Sequence, residues 1–170
     1  MGRLIITGGQ PERAIAIMRE VAVWGRSRGF RVWPDEWLTE NELLTEEARP
    51  ENFYVGTVDG QPACAFILQW SDREYWPDAT PGEAAYLHKL CVCREFAHQD
   101  MTRQVVERVR EECIRKGARF IRLDTGAEEP VVCNIYLNAG FEIAKVLEHN
   151  GRPVMLLYEL KLRPEQEEPK

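Results

Sequence analysis

The chain has 170 residues, a length that suits one domain and allows roughly 70% of the unfolded chain's surface to be buried. Its hydrophobic fraction of 44% and charged fraction of 29% are ordinary for a soluble globular protein. The net charge of −6 argues against bulk attraction to nucleic acid or anionic lipid, and favours a cationic or neutral small partner over an anionic one.

Turn residues and hydrophobic periodicity divide the chain into alternating strands and helices. Pro11 suits the first position of a helix, and Asp35 suits the N-cap of another. Asp59-Gly60 and Asn150-Gly151 predict tight hairpin turns, because both central residues of a type I′ turn need positive φ. In the first part of the chain the predicted elements are strand 3–7, a helix from Pro11 to Gly25 or Gly29, and a helix after Asp35. In that second helix Trp37, Leu38, Leu44 and Ala48 would face inward. The elements predicted after it are strands 52–58, 62–70 and 85–93, helix 101–116, strand 119–123, helix 130–139, and strands 141–147 and 153–161.

The segment from 85 to 123 reads as a strand–helix–strand crossover, which implies a parallel strand pair flanked by antiparallel hairpins. The sequence therefore predicts an α/β fold with a mixed, mostly antiparallel sheet of about seven strands and helices on both faces. We expect a single domain over 1–163 and a flexible tail at 164–170, which is polar and Pro-flanked.

Other classes of site find little support in the sequence. No apolar run approaches the length of about 20 residues that spans a bilayer. The first residues, MGRLIITGGQPER, lack the apolar stretch of a secretory signal, so a cytoplasmic location is expected. The five cysteines form no CxxC pair, which indicates reduced thiols, and the three histidines lie at no ligand spacing, so no metal site is predicted.

Three stretches resemble the GNAT superfamily of acyl-CoA-dependent N-acetyltransferases, and the resemblance covers residues 3–160. AAYLHKLCVCREF at 84–96 is similar to the family's central strand, which typically ends in Leu-x-Val. GARFIRLDT at 117–125 is similar to the fifth strand of one bacterial branch, and NIYLNAGFE at 134–142 resembles the family's Tyr-x-x-x-Gly-Phe. Three upstream residues also resemble that branch: Trp70, Asp72 and Trp76.

The resemblance implies a GNAT-like fold with acetyl-CoA as cosubstrate, held where the fourth and fifth strands splay apart. Backbone groups of the central strand would bind the pantetheine arm, and the loop that opens helix 101–116 would bind the pyrophosphate, since free N–H groups at a helix start attract anions. The residues expected to contact the cofactor are Leu90, Cys91, Val92, His98, Gln99, Asp100, Met101, Thr102 and Arg103.

The phosphate loop departs from the family pattern Gln/Arg-x-x-Gly-x-Gly/Ala, because Asp100 replaces the central glycine and Thr102 the last small residue. In one interpretation CoA binding persists in a weakened or rearranged form, with compensating donors from His98, Gln99, Thr102 and Arg103. In the other, the Asp100 carboxylate caps the helix, occupies the amides that phosphate needs and repels a diphosphate by about 1 kcal/mol at a wet surface. The chain would then be a catalytically impaired ligand-binding or interaction protein with the GNAT fold.

Acyl transfer to an amine needs one group to accept a proton and another to protonate the leaving thiolate. By resemblance, Tyr136 matches the family tyrosine near the CoA sulfur and would be the acid; the alternative is a half-buried core tyrosine. His88 lies on the central strand, where family members often place a base; the alternative is a hydrogen-bonded core histidine. Strand alternation would put His88 on one face with Tyr86, Leu90 and Val92.

Substrate recognition in this family usually falls to the first two helices and the turn between them, here RVWPDEW at 31–37. Aromatic rings beside carboxylates suit an amine, and the candidate residues are Trp33, Trp70 and Asp124. The alternatives are tryptophans that only pack and an Asp124 that only caps the turn at Gly126. The resemblance thus implies transfer of an acetyl group from acetyl-CoA to a primary amine of a small molecule or peptide in a direct ternary complex. Neither nucleic acid nor membrane is an expected partner. A homodimer would be compatible with the family resemblance, since many relatives dimerise.

Overall fold

The computed structural model describes residues 2–162, so the tail predicted at 164–170 lies outside the described residues. The strands are β1 (Leu4–Thr7), β2 (Phe53–Val58), β3 (Gln61–Gln69), β4 (Ala84–Val92), β5 (Phe120–Gly126), β6 (Glu142–His149) and β7 (Arg152–Lys161). The helices are α1 (Pro11–Ser27), α2 (Glu40–Leu43), α3 (Met101–Lys116) and α4 (Pro130–Asn138), and short 3-10 turns lie at Asp35–Trp37, Pro50–Asn52 and Arg94–Phe96.

One seven-stranded sheet contains the strands in the order β1-β2-β3-β4-β5-β7-β6. β4 and β5 are parallel and joined through α3, with Ala84 opposite Phe120 and Tyr86 opposite Arg122. β1–β2, β2–β3, β5–β7 and β6–β7 are antiparallel. The fold class predicted from the sequence, a mixed α/β sheet with one strand–helix–strand crossover, is confirmed.

The two predicted hairpin turns are also confirmed. Asp59 and Gly60 have φ values of 50° and 78°, and Asn150 and Gly151 have 52° and 73°. All four residues occupy the left-handed region that Gly, Asn and Asp tolerate best, which is why these dipeptides locate the turns correctly.

The helix predicted to begin at Asp35 is wrong in its start and its length. Asp35 opens a 3-10 turn, and the short α2 has Thr39 as its N-cap, whose Oγ1 accepts a hydrogen bond from the Glu42 N–H at 3.3 Å. The Asp35 carboxylate binds the Arg26 guanidinium at 2.7 Å, and Asp35 is the first residue of the 3-10 turn, whose N-cap is Pro34. Leu38 and Ala48 are buried as predicted, whereas Trp37 is 53% exposed.

The described residues form two compact units. The first comprises the residues up to Gln69 together with Leu87–Gln104, and its fully buried side chains include Met18, Leu38, Phe53 and Phe66. The second comprises Trp70–Tyr86 and the described residues from Val105 onward, with Val105, Ile121, Leu157 and Tyr158 fully buried. β4 and α3 each contribute residues to both units, and a single domain over 1–163 stays a prediction.

A buried guanidinium joins three strands of the second unit. Arg122 is only 6% exposed; its Nε donates to Glu159 at 2.8 Å, and its Nη1 donates to Glu83 at 2.9 Å and to the Tyr86 hydroxyl at 3.1 Å. The Trp76 ring lies 4.2 Å from the guanidinium carbon. Burial alone would lower the pKa of Arg122, but the hydrogen bonds with Glu159 and Glu83 outweigh it and raise the pKa, so the side chain stays charged.

Arg122→Met should destabilise the protein by about 3 kcal/mol, because it leaves two partly buried carboxylates without their cation. Urea unfolding followed by circular dichroism measures this loss. Arg108→Met is the matched control: Arg108 also pairs with a glutamate, Glu111, at 2.8 Å, but at 45% side-chain exposure. The control should change the free energy of unfolding by less than about 1 kcal/mol. Equal losses in the two variants would contradict a stabilising role for the Arg122 cluster.

Candidate functional site

The second half of β4 contains a backbone irregularity at Lys89. This residue has φ of 54° inside the strand, a value that lysine adopts rarely and that occurs where a strand bulges. The irregularity interrupts the alternation of side chains, so residue counting no longer places His88 on the same face as Leu90 and Val92. His88, Leu90 and Val92 are partly buried, and Cys91 is buried.

The buried thiols of Cys64 on β3, Cys91 on β4 and Cys93 after β4 are unsuited to nucleophilic chemistry. Burial raises the pKa of Cys91 far above its ordinary value, and its Sγ contacts the Ala65 carbonyl oxygen at 3.7 Å. Burial likewise raises the pKa of Cys93 to about 11 and that of Cys64 to about 12. These side chains therefore stay protonated at neutral pH, and Cys91 could serve a ligand only through its backbone.

The loop before α3 holds two non-glycine residues in the left-handed region. His98 has φ of 62° and Asp100 has φ of 57°. Asp100 stands where the family pattern has glycine, and aspartate is one of the few residues besides glycine that visit this conformation readily. The loop therefore has, at this position, a backbone conformation that glycine usually supplies.

One interpretation of the sequence expected the Asp100 carboxylate to cap α3. In the structure this side chain does not cap the helix. Within residues 2–162 its carboxylate pairs with Arg103, Oδ2 to Nε at 3.4 Å, and both side chains are 66% exposed. Gln104 N–H donates to the Asp100 carbonyl oxygen at 3.2 Å. The amides that precede Gln104 in the first turn, those of Met101, Thr102 and Arg103, have no acceptor within the helix itself.

Two glutamines brace this loop. Gln99 Nε2 donates to the Glu95 carbonyl oxygen at 3.1 Å, so the donor expected to face a phosphate is turned back onto the chain. Gln104 Nε2 donates to the Gln99 carbonyl oxygen at 3.0 Å. Gln104 was not among the residues predicted from the sequence; the available signal was a long amide side chain in the first turn of a helix, within reach of the preceding loop.

In the first unit, the turn between α1 and α2 contacts β4. Arg26 Nη1 donates to the Trp33 carbonyl oxygen at 3.1 Å, and Nη2 binds Asp35 at 2.7 Å. The Lys89 ammonium nitrogen lies 5.3 Å from the centroid of the Trp33 ring. The predicted substrate residue Trp33 thus lies beside Lys89, the chain neighbour of the predicted base His88.

Tyr136 belongs to the second unit and is 9% exposed. Its ring packs edge-on against Phe141, at 5.9 Å between centroids, and tilted against Tyr158 at 6.0 Å. The Tyr158 hydroxyl lies 3.1 Å from Thr125 Oγ1. Tyr136 is therefore more deeply buried than the half-buried residue that the sequence suggested, and neighbouring aromatic rings restrict the orientation of its own ring.

The other two predicted substrate residues also lie in the second unit. The Lys116 ammonium lies over the Trp70 ring at 4.2 Å. Asp124 lies inside β5, because that strand continues to Gly126. The strand predicted from the sequence ended earlier, at residue 123. The turn after β5 is held by Glu129, whose Oε2 accepts from the Gly126 N–H at 3.1 Å.

Tyr75 lies in the electrostatic field of Asp124. Burial raises the pKa of Tyr75 to about 12, and the negative charges of Asp124, Glu74 and Asp72 add to the rise. Asp124 and Lys145 both pair with Leu157 across the sheet and therefore share its face. Asp124 thus belongs to a partly buried polar region of the second unit, whereas Trp33 belongs to the first.

Within residues 2–162, no group of three or more His, Cys, Asp or Glu side chains is arranged to hold a metal ion. No helix among those residues combines the length and apolar character needed to cross a bilayer.

Comparison with known proteins gives consistent matches. The sequence model of the acetyltransferase (GNAT) family matches residues 17–141. The uncharacterized N-acetyltransferase YesJ of Bacillus subtilis is 27% identical over 138 residues, which cover 77% of this chain and 76% of that protein.

Solved structures match the fold. The crystal structure of a GNAT-family acetyltransferase from Listeria monocytogenes matches with a TM-score of 0.72 at 21% identity, over 94% of this chain and 95% of that chain. A GNAT-family acetyltransferase from Elizabethkingia anophelis with acetyl-CoA bound matches with a TM-score of 0.50 at 17% identity, over 65% of this chain and 75% of that chain. The family's sequence model matches well over half of the residues of this chain, and the chain therefore belongs to the GNAT acetyltransferase family.

Proposed function

We propose that the protein transfers an acetyl group from acetyl-CoA to the primary amine of a small molecule or peptide, by direct attack in a ternary complex. The observation that carries the proposal is the backbone at Asp100, which has the left-handed φ of 57° that a glycine would supply in the phosphate loop. Membership of the GNAT family supports the class of reaction. The Elizabethkingia relative, which binds acetyl-CoA, supports the choice of cosubstrate.

The residues of the first unit fit the chemistry of the cofactor. The first-turn amides of α3, at Met101–Arg103, are donors of the kind that bind a pyrophosphate. Arg103 offsets the charge of Asp100 through their contact at 3.4 Å, which lowers the repulsion that a diphosphate would meet. Backbone groups of Leu90–Val92 would hold the pantetheine arm, and His98 and Thr102 would add donors to the phosphates.

Two side chains are proposed for the proton transfers. Acetyl-CoA supplies an activated thioester, whose C–S bond breaks as the amine nitrogen forms the new C–N bond. His88 would accept the proton that the attacking amine loses, at a ring nitrogen, directly or through water. The Tyr136 hydroxyl would donate the proton that the leaving thiolate takes up, and the rings of Phe141 and Tyr158 fix its direction. Trp33, Trp70 and Asp124 remain proposed contacts to the acceptor, and a homodimer and a cytoplasmic location remain predictions from the sequence.

A second candidate function is a GNAT-fold ligand-binding or interaction protein without normal CoA binding. The observation in its favour is the carboxylate of Asp100, 66% exposed at the start of α3, where a diphosphate would approach. The two candidates differ in whether the loop accepts the cofactor.

Titration calorimetry with acetyl-CoA distinguishes them. The wild-type protein should bind, and Asp100→Asn should bind about fivefold more tightly, because it removes roughly 1 kcal/mol of repulsion while asparagine tolerates the same backbone conformation. Glu107→Gln is the matched control, an exposed carboxylate further along α3 that pairs with Arg110 at 3.8 Å, and it should leave the affinity unchanged. Wild-type protein that gives no heat at millimolar acetyl-CoA, with binding restored in Asp100→Gly, would favour the second candidate.

Tyr136→Phe should lower kcat by about 100-fold or more, with little change in the KM for acetyl-CoA, because an acid that acts on the leaving group affects the chemical step. The fall of kcat at high pH that deprotonation of such an acid produces should also disappear. Steady-state kinetics with an amine that gives turnover measures both effects.

Tyr158→Phe is the control for this variant, since it removes the hydroxyl next to Thr125 but keeps the ring that packs on Tyr136. Its kcat should stay within about threefold of the wild-type value. A Tyr136→Phe enzyme with the activity and pH profile of the wild type would leave Tyr136 as a packing residue only.

A further inference from the structure

The proposed acid, Tyr136, lies on α4, and the start of this helix is fastened to the end of β5. The N–H of Gly126, the last residue of β5, donates to Glu129 Oε2 at 3.1 Å. Glu129 is the N-cap residue of α4, and its carbonyl oxygen accepts from the Cys133 N–H at 2.9 Å. Glu129 therefore belongs to the first turn of the helix through its backbone and contacts the strand through its side chain.

This use of an N-cap side chain is unusual. Such a side chain ordinarily accepts a hydrogen bond from the first turn of its own helix. Among the described residues, the Glu129 side chain makes no such bond to α4. Pro130 follows at the first helical position, where its lack of an N–H leaves no helical hydrogen bond unmade. The Glu129 carboxylate thus holds the helix to the sheet and does not cap it.

The Glu129 carboxylate also lies close against the backbone of Gly126. A Cβ added at Gly126 would lie 3.1 Å from Glu129 Oε2 and 3.3 Å from Glu129 Cδ, closer than an ordinary van der Waals contact. The glycine therefore leaves the space that the carboxylate fills. Both residues are partly shielded from solvent, which strengthens a hydrogen bond to a charged acceptor.

Two further contacts join β5 and α4 through a thiol. Cys133 Sγ donates to the Gly126 carbonyl oxygen at 3.8 Å and lies 3.5 Å from Thr125 Oγ1. Thiols are weak hydrogen-bonding groups. Of these three contacts, the one made by the Glu129 carboxylate is therefore the strongest.

Tyr136 lies about two helical turns beyond Glu129 on α4. Its carbonyl oxygen accepts from the Phe141 N–H at 3.1 Å, so the backbone is also fixed at the far end of the helix. α4 has only nine residues, and a helix this short moves as one body. A displacement at its start would therefore be carried to the Tyr136 hydroxyl.

We propose that Glu129 is a positioning residue for the acid: its hydrogen bond with Gly126 sets α4 so that the Tyr136 hydroxyl meets the leaving sulfur of the cosubstrate. The inference rests on the proposed acetyl-transfer function and adds a residue on which its protonation step depends. Proton transfer needs donor and acceptor at hydrogen-bond distance, and a misplacement of about 1 Å lowers a rate by up to about 100-fold.

Two substitutions separate the length of the side chain from its charge. Glu129→Asp keeps the charge and a good N-cap residue, but its carboxylate is one methylene too short to keep the bond with Gly126. It should lower kcat by about tenfold and change the KM for acetyl-CoA by less than about twofold. Glu129→Gln removes the charge but keeps an acceptor oxygen at the same reach, so its kcat should stay within about threefold of the wild-type value. Steady-state kinetics with an amine that gives turnover measures both variants.

A double-mutant cycle tests whether the effect passes through the tyrosine. Adding Glu129→Asp to Tyr136→Phe should lower kcat by less than about twofold further, because the hydroxyl that Glu129 positions is already absent. Thr45→Val is the matched control. Thr45 Oγ1 also accepts a backbone hydrogen bond, from the Ala48 N–H at 2.9 Å, but it lies in the first unit. This variant should keep kcat within about twofold of the wild-type value.

The outcomes separate this inference from the function on which it rests. Three results in an enzyme that acetylates an amine would overturn the inference alone: an unchanged kcat in Glu129→Asp, an equal loss in Glu129→Gln, or the same tenfold loss with and without the Tyr136 hydroxyl. A wild-type protein that neither binds acetyl-CoA in calorimetry nor acetylates any amine would overturn the proposed function with it.

Discussion

The second unit depends on the hydrogen bonds of one buried cation. Arg122 binds Glu83 ahead of β4, Tyr86 on β4 and Glu159 on β7, so segments far apart in sequence meet at one guanidinium. A buried arginine is tolerable only when its charge and its planar set of donors are matched, and here carboxylates and a phenol match them. Trp76 lies over the same group, so the contact also anchors the segment between β3 and β4.

In the first unit the corresponding constraint is on the backbone. His98 and Asp100 turn the chain into α3 through left-handed conformations, and the side chains of Gln99 and Gln104 bond to carbonyl groups of the same loop. A loop stabilised in this way keeps its shape without glycine. The replacement of glycine by aspartate in the sequence therefore changes the charge of the loop more than its conformation.

The sequence predicted the elements whose signals are local. The hairpins at Asp59-Gly60 and Asn150-Gly151 and the helix at 101–116 depend on turn chemistry and periodicity, and each was correctly located. The helix start predicted at Asp35 was wrong, because α2 begins after Thr39, whose hydroxyl accepts the capping hydrogen bond, while the Asp35 carboxylate binds Arg26. β5 was predicted too short because its end is fixed by pairing with β7, as far as Gly126 opposite Met155. The φ of Lys89 has no local signal either, since lysine normally avoids that region of conformational space.

All five cysteines are buried, and burial holds the thiols of β3 and β4 in their protonated form. A reagent that reports free thiols in solution would therefore react slowly with the folded protein, and coenzyme A released in an assay could be followed with little background. The same shielding would protect the folded chain from mixed disulfides with the coenzyme under oxidising conditions, so its cysteines would be modified mainly after unfolding.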